Sequence, residues 1–204
     1  YRGYDSAGLA VVSDGALHWA KKSGKLTNLE AELSTSPLPE SGQGIGHTRW
    51  ATHGAPTDTN AHPHVSADGT VAVVHNGIIE NFRELRAELA RDGIVPETQT
   101  DTETVAQLTG HLMGQGMSPV EAVRATLERL HGAFALAFLF EGQGDLMIGA
   151  RKGSPLAVGH GSGEMFLGSD AIALAPFTNS ITYLEDGDWA VVRRNHVQIY
   201  DMAG

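Results

Sequence analysis

The sequence predicts an α+β domain built on antiparallel sheets. Short apolar runs bounded by turn residues occupy both ends of the chain, and amphipathic helical patterns fill the middle, between residues 79 and 132. This order lacks the strict βα alternation of a doubly wound parallel sheet. The run AFALAFLF at 133–140 is apolar on both faces. A strand there needs cover on both sides, which indicates stacked sheets with helices outside.

The first predicted element is a hairpin. Residues 8–12 and 17–22 have the composition of strands, and Ser13-Asp14-Gly15 between them is a turn sequence that suits positive φ at the glycine. A short helix is predicted at 25–33, followed by a loop rich in proline and glycine. Strands are then expected at 45–50 and 70–75, separated by a long polar loop at 52–69.

Three helices are predicted next. The first carries an apolar stripe over 79–89, and the second is expected to begin at a capping box formed by Thr100 and Glu103. The third ends before Gly132 and has residues suited to the N-cap, N1 and N3 positions, namely Ser118, Pro119 and Glu121. These end signals set the limits of the helical layer.

The last third of the chain is predicted to be rich in β-structure. From residue 133 onwards, seven apolar runs separated by turns are spaced as hairpins, with one helical turn near 171–175. No repeat or linker divides the sequence. We therefore predict one domain over 1–204.

The composition excludes several classes of function. With 24 acidic and 14 basic residues the net charge is −10, so no basic face is available for nucleic acid or an anionic membrane. The basic cluster at 21–25 is predicted to be a solvated strand end or turn. The absence of cysteine excludes disulfides and thiol catalysis by this sequence, and no apolar run or leader suggests a membrane segment. A cytoplasmic protein is expected.

A dense group of polar residues at 47–81 predicts a functional site. Its three blocks, HTRWATHG, NAHPH and HNGIIEN, contain five histidines beside apolar runs, as expected where strands meet a ligand-binding loop. One hypothesis is a metal-dependent hydrolase, with imidazole and carboxylate ligands from His53, His62, His64 and Asp58 or Asp68. Arg49 argues against it, because a guanidinium four residues from His53 raises the cost of binding a dication.

A second hypothesis is a pocket for an amino acid. Arg49 suits an α-carboxylate, Asp101 suits an α-ammonium, and Asn76-Gly77 can supply amide donors to an oxyanion. Two alternatives stay open at this point. Asp101 could only place charge in the first turn of a helix, and Asn-Gly is the commonest tight-turn dipeptide.

Motifs across the whole chain resemble a known family. The three blocks above, together with YRGYDSAG at 1–8, TDTE at 100–103, RKGSPL at 151–156, GSDAIAL at 168–174 and LEDGD at 184–188, are similar to the glutaminase domain of class II glutamine amidotransferases. The similarity is strongest to the amino-sugar branch, the glucosamine-6-phosphate synthases. It implies the N-terminal-nucleophile hydrolase fold, a four-layer αββα sandwich with two antiparallel sheets. It also implies hydrolysis of glutamine to glutamate and ammonia without a cofactor or metal.

The resemblance implies a role for each motif residue. Arg49 would bind the α-carboxylate of glutamine, Asp101 its α-ammonium, and Asn76 with the N–H of Gly77 the oxyanion. The remaining residues implied in the site are Thr52 and His53 in the pocket wall, Trp50 closing the ammonia path or serving as a core aromatic, His62 in support, and Arg2 near the nucleophile.

The same resemblance implies an attacking group that this sequence does not contain. The family's nucleophile is an N-terminal cysteine whose own α-amine is the base, on a short segment before the point where this chain begins. We therefore expect this chain to be inactive alone. The parent protein would carry sugar isomerase domains that bind fructose 6-phosphate, and would form homo-oligomers. A non-catalytic glutamine-binding module is the alternative.

Overall fold

The computed structural model describes residues 4–204. In that part of the chain twelve strands and five helices follow one another. The strands are β1 Ser6–Ser13, β2 Ala16–Ser23, β3 Gly44–Arg49, β4 His64–Val65, β5 Val71–Ile79, β6 Gly132–Phe140, β7 Met147–Lys152, β8 Ala157–His160, β9 Met165–Gly168, β10 Ser180–Tyr183, β11 Trp189–Arg193 and β12 His196–Tyr200. The helices are α1 Leu26–Thr35, α2 Phe82–Arg91, α3 Thr102–Gly114, α4 Pro119–Arg129 and α5 Ala171–Leu174.

The strands form one large sheet and two small ones. The large sheet has the order β12-β11-β7-β6-β5-β4, and the small sheets have the orders β2-β1-β3 and β10-β8-β9. Every pair of neighbouring strands is antiparallel. The predicted α+β architecture with antiparallel sheets is confirmed.

The large sheet is covered on both faces. One face packs against α2, α3 and α4 through an apolar core that includes Phe134, Phe138 and Phe140. The other face meets both small sheets, through Val74 and Leu139 at one end and through residues such as Val158 at the other. Strand β6 is accordingly buried along most of its length, as its apolar sequence predicts.

Local sequence patterns correctly predicted the ends of several elements. The hairpin between β1 and β2 turns at Asp14 and Gly15, which both have positive φ, 49° and 78°. The Ser118 side chain caps α4 and forms the predicted capping box with Glu121. No helix within the described residues is long and apolar enough to cross a membrane.

Three predictions about the limits of elements were wrong. The loop predicted at 52–69 contains β4, which pairs with β5. Strand β5 continues to Ile79, so this residue ends a strand and does not begin the helical stripe. Thr100 and Glu103 form no capping box: α3 begins after Asp101 and lacks a side-chain cap. Glu103 instead accepts hydrogen bonds from the backbone of Glu97 and Thr98, which fixes the turn before the helix.

Candidate active site

Most of the predicted site residues line one cavity. It has a volume of about 410 Å³ and lies between the end of β3, the second half of β5 and the start of α3. Its walls include Arg49, Trp50, Thr52, His62, Asn76, Gly77 and Asp101. Residues far apart in sequence thus meet because β3, β5 and α3 end or begin at the same place.

Arg49 supplies a buried cation at the end of β3. Only 4% of the residue is exposed, and its guanidinium donates hydrogen bonds to the backbone carbonyls of His53 and Ala55. Burial lowers the pKa of Arg49, while Asp5 and Asp101 act in the opposite direction. Since a guanidinium has five N–H donors, Arg49 can hold this loop and still donate to a ligand.

Asn76 and Gly77 lie inside strand β5, where it reaches the cavity. The tight-turn alternative for this dipeptide is therefore wrong. Gly77 has a φ of 122°, and a Cβ added there would lie 2.1 Å from the carbonyl oxygen of Ala133 in β6. Only glycine allows the backbone to approach β6 so closely at this position.

Asp101 supplies a buried anion directly before α3. The residue is 4% exposed, and its Oδ2 accepts a 2.7 Å hydrogen bond from the backbone N–H of Ile79. This bond ties the carboxylate to strand β5. The alternative hypothesis, that Asp101 only places charge in the first turn of a helix, therefore does not account for this contact.

Four histidine rings form a cluster beside the cavity. His62 stacks on His47 at 4.2 Å between ring centroids and contacts His64 at 4.9 Å and His75 at 6.5 Å. Burial holds the pKa values of His62 and His64 well below the usual range; repulsion from the other histidines adds to this effect for His62, and repulsion from Lys21 and Arg49 adds to it for His64. Burial also lowers the pKa of His75 to about 4, against the attraction of Asp101. The cluster is therefore neutral near pH 7.

Hydrogen bonds fix the orientation of these rings. His64 Nε2 pairs with Thr100 at 2.9 Å, and His75 Nδ1 pairs with Thr102 at 2.8 Å. The backbone N–H of His75 donates to His62 Nδ1, so the proton of the neutral His62 ring lies on Nε2. His62 thus forms part of a rigid, uncharged wall.

The geometry gives no support to the metal hypothesis. Within residues 4–204, no three His, Asp or Glu side chains form a group that could hold a metal ion. Asp58 accepts hydrogen bonds from Ser23 and so ties its loop to the end of β2, while Asp68 accepts from Ser66 and Thr70 and fixes a local turn.

The remaining predicted residues differ in how they contribute. Trp50 is 59% exposed on the cavity wall, so the core-aromatic alternative is wrong. The ring of His53 packs edge-on against Phe82 at 5.7 Å, outside the cavity wall, and this residue contributes its carbonyl to Arg49. Arg2 lies outside the described residues.

Two residues make contacts in and around the site that were not predicted from the sequence. His47, which was not among the predicted site residues, lines the cavity, and its Nε2 lies 2.7 Å from Asn76 Oδ1. Lys21, predicted to be solvated, is half-buried, and its Nζ donates to the carbonyls of Thr59, Ala61 and Pro63 at 3.0–3.1 Å. No local pattern reveals either contact, because each joins segments at least 29 residues apart.

Comparison with known proteins gives consistent matches. A family described as "glutamine amidotransferase domain" matches residues 47–176. The chain is 65% identical over all 204 residues to glutamine–fructose-6-phosphate aminotransferase (isomerizing) of Mesorhizobium japonicum, and 64% identical over 201 residues, 98% of the chain, to that of Brucella suis. It spans about a third of the length of these curated relatives, 33% in each case.

Solved structures show the same fold. Glutamine phosphoribosylpyrophosphate amidotransferase from B. subtilis superposes with a TM-score of 0.79 at 25% identity, covering 98% of this chain and 43% of that one. A glutamine aminotransferase class-II domain protein from Silicibacter pomeroyi gives a TM-score of 0.65 at 16% identity, covering 98% of this chain and 92% of that one. The second likeness concerns the fold alone.

Proposed function

The chain belongs to the glutamine amidotransferase family, and from that premise we propose that it binds L-glutamine in the 410 Å³ cavity. There it provides the recognition groups for hydrolysis of the glutamine amide to glutamate and ammonia. The observation that carries this proposal is the presence of Arg49, Asp101 and Asn76 on the walls of one cavity.

The charges in the cavity complement the two ends of an amino acid. The Arg49 guanidinium binds the α-carboxylate, because paired N–H donors match the two oxygens of a carboxylate. Asp101 binds the α-ammonium through Oδ1, since its Oδ2 is held by Ile79. Both charged residues are buried, so the ion pairs with the ligand form in a site with little competing water.

The amide group of glutamine then lies near Asn76 and Gly77. Attack on its carbonyl carbon produces a tetrahedral intermediate with a negative oxygen. The side-chain NH2 of Asn76 and the backbone N–H of Gly77 donate to that oxygen, which lowers the barrier when the donors are already oriented. Thr52, Trp50 and His62 shape the surrounding wall, and Arg2 supports the nucleophile.

The attacking thiol has to come from residues outside this sequence, which contains no cysteine. A second cavity of about 370 Å³ has room for such a segment, and it shares His47, His75 and Asn76 with the first. Its sides are β3 and β9, each of which pairs along a single edge within residues 4–204. An extended segment here could pair with both strands and place its first residue beside Asn76.

The whole protein has a wider proposed role. Its relatives are named for transfer of nitrogen from glutamine to fructose 6-phosphate. We propose that the parent protein of this chain passes ammonia to fructose 6-phosphate bound on sugar isomerase domains, in a cytoplasmic homo-oligomer.

Steady-state release of glutamate from glutamine by the full-length protein tests this proposal. We expect Asp101→Asn to raise the KM for glutamine at least about tenfold, because a charged partner of the α-ammonium is lost. Asp68→Asn, which alters a turn away from the cavity, is the matched control and should leave KM unchanged. Glutamine binding without glutamate release by the full-length protein would favour the non-catalytic module.

A further inference from the structure

We propose that His47 is a positioning residue that holds the Asn76 side chain with its NH2 group facing the cavity. This inference rests on the proposed function, because the orientation of the amide matters only if Asn76 donates to an oxyanion. His47 itself would not touch the reacting atoms. It would act through its hydrogen bond to Asn76 on β5.

The direction of this hydrogen bond follows from the atoms involved. His47 Nε2 lies 2.7 Å from Asn76 Oδ1. A carboxamide oxygen can only accept, so the proton has to be on Nε2. His47 Nδ1 is buried and has no hydrogen-bond partner among the described residues, so the contact through Nε2 is the hydrogen bond that orients the ring.

Burial keeps the ring in this neutral form. It lowers the pKa of His47, while the hydrogen bond to Asn76 acts in the opposite direction. The ring is also held in place from the side. It stacks on His62 at 4.2 Å with an angle of 16° between ring planes, and His62 is itself fixed by the backbone N–H of His75.

Asn76 depends on this contact for its orientation. Within residues 4–204 the bond to His47 is the only hydrogen bond made by the Asn76 side chain. As long as the His47 proton stays on Nε2, a half-turn of the amide would bring its NH2 group against that N–H, placing two donors face to face. The same half-turn would direct the carbonyl oxygen into the cavity, where it would repel a developing negative charge instead of stabilising it.

Substitutions that keep the ring or keep the donor separate this role from a structural one. In the full-length protein, His47→Phe preserves an aromatic ring that can stack on His62 but removes the donor. We expect kcat for glutamine hydrolysis to fall about 10- to 100-fold, in the range set by loss of an oxyanion donor, while KM for glutamine changes less than about threefold. His47→Gln, whose side-chain NH2 can donate to Oδ1, should recover part of the loss.

A double-mutant comparison tests whether His47 acts through Asn76. In an Asn76→Ala background, His47→Phe should cause no further fall in kcat, because the group that it orients is gone. His131→Phe, at an exposed position, is the control and should leave kcat unchanged. Glutamate binding, measured by calorimetry, should be equal in wild type and His47→Phe, which reports an intact pocket.

Three results would overturn the inference. They are an unchanged kcat in His47→Phe, a rise in KM without a fall in kcat, and a full further loss in the Asn76→Ala background. If His47→Phe does not fold, the folded variants His47→Gln and His47→Ala are compared instead. A kcat of His47→Gln that is no higher than that of His47→Ala would also overturn the inference. Absence of glutaminase activity in the wild-type protein would instead reject the proposed function, and it is measured first.

Discussion

The large sheet borders two buried regions that are built from different chemistry. Towards α2, α3 and α4 the buried side chains are apolar, with Phe138 and Phe140 fully enclosed. At the cavity end of β5 the buried groups are histidine rings, Arg49 and Asp101. Burial stabilises the first region directly, by about 25 cal/mol per Å² of apolar surface. In the second region burial costs free energy, which hydrogen bonds and neutral imidazoles keep small.

This difference separates stability from function in one fold. The apolar region should determine how stable the domain is at any pH. The polar region should determine ligand binding, and its contribution to stability should depend on pH. The predictions below test this division.

The largest effect is expected from acid. The pKa of His75 is lowered to about 4, and those of His62 and His64 are also well below 6.5. Below pH 6.5 the unfolded chain binds more protons than the folded one, so the free energy of unfolding falls as pH falls from 6.5 towards 4. At pH 5 the loss is about 2 kcal/mol for His75, and His62 and His64 add losses of the same sign. Urea unfolding at pH 7.5, 6 and 5 measures it.

Two variants locate the source of this acid sensitivity. His62→Gln removes one buried imidazole and should make the dependence on pH less steep. His131→Gln removes an exposed histidine and should leave the dependence as it is. A free energy of unfolding that does not change between pH 7.5 and 5 would contradict the idea of a neutral, buried cluster.

The second effect concerns the apolar region. Phe138 is fully buried and stacks on Phe140, so Phe138→Ala should lower the free energy of unfolding by about 3–5 kcal/mol. The change should be the same at pH 7.5 and pH 6, because no titrating group is involved. Phe177→Ala, at a residue 62% exposed, is the control with an expected change under about 1 kcal/mol. Equal effects of the two substitutions would show that the apolar region is not the main source of stability.

The smallest effect concerns Lys21. Burial lowers its pKa from 10.5 to about 8. Between pH 8 and 10.5 the unfolded state binds more protons, so the free energy of unfolding should rise with pH in this range. Wild type should therefore gain about 2 kcal/mol relative to Lys21→Met between pH 7 and 9.5. Lys22→Met, at a half-buried neighbour, keeps Lys21 and should follow the wild-type pH profile. Parallel pH profiles for wild type and Lys21→Met would refute the prediction.

Much of the fold follows from local patterns. The β1–β2 turn, the α4 capping box and the series of strands after residue 131 were all predicted, because each depends on residues close together in sequence. The errors occurred where contacts with residues distant in sequence determine the local structure. Glu103 binds the turn at 97–98 instead of capping α3, and β5 extends to Ile79 because β6 pairs with it along its whole length.

The site divides in the same way. The sequence alone determined the chemistry of the recognition groups, since Arg49, Asp101, Asn76 and Gly77 stand in motifs whose residue types suit an amino acid and an oxyanion. Only the tertiary structure decided which polar atoms meet. It pairs His47 with Asn76, Asp101 with Ile79, and Lys21 with the carbonyls of residues 59–63. Such contacts depend on how separate segments pack and, for strand residues, on register, because a shift of one residue would turn a strand side chain such as that of His47 to the opposite face.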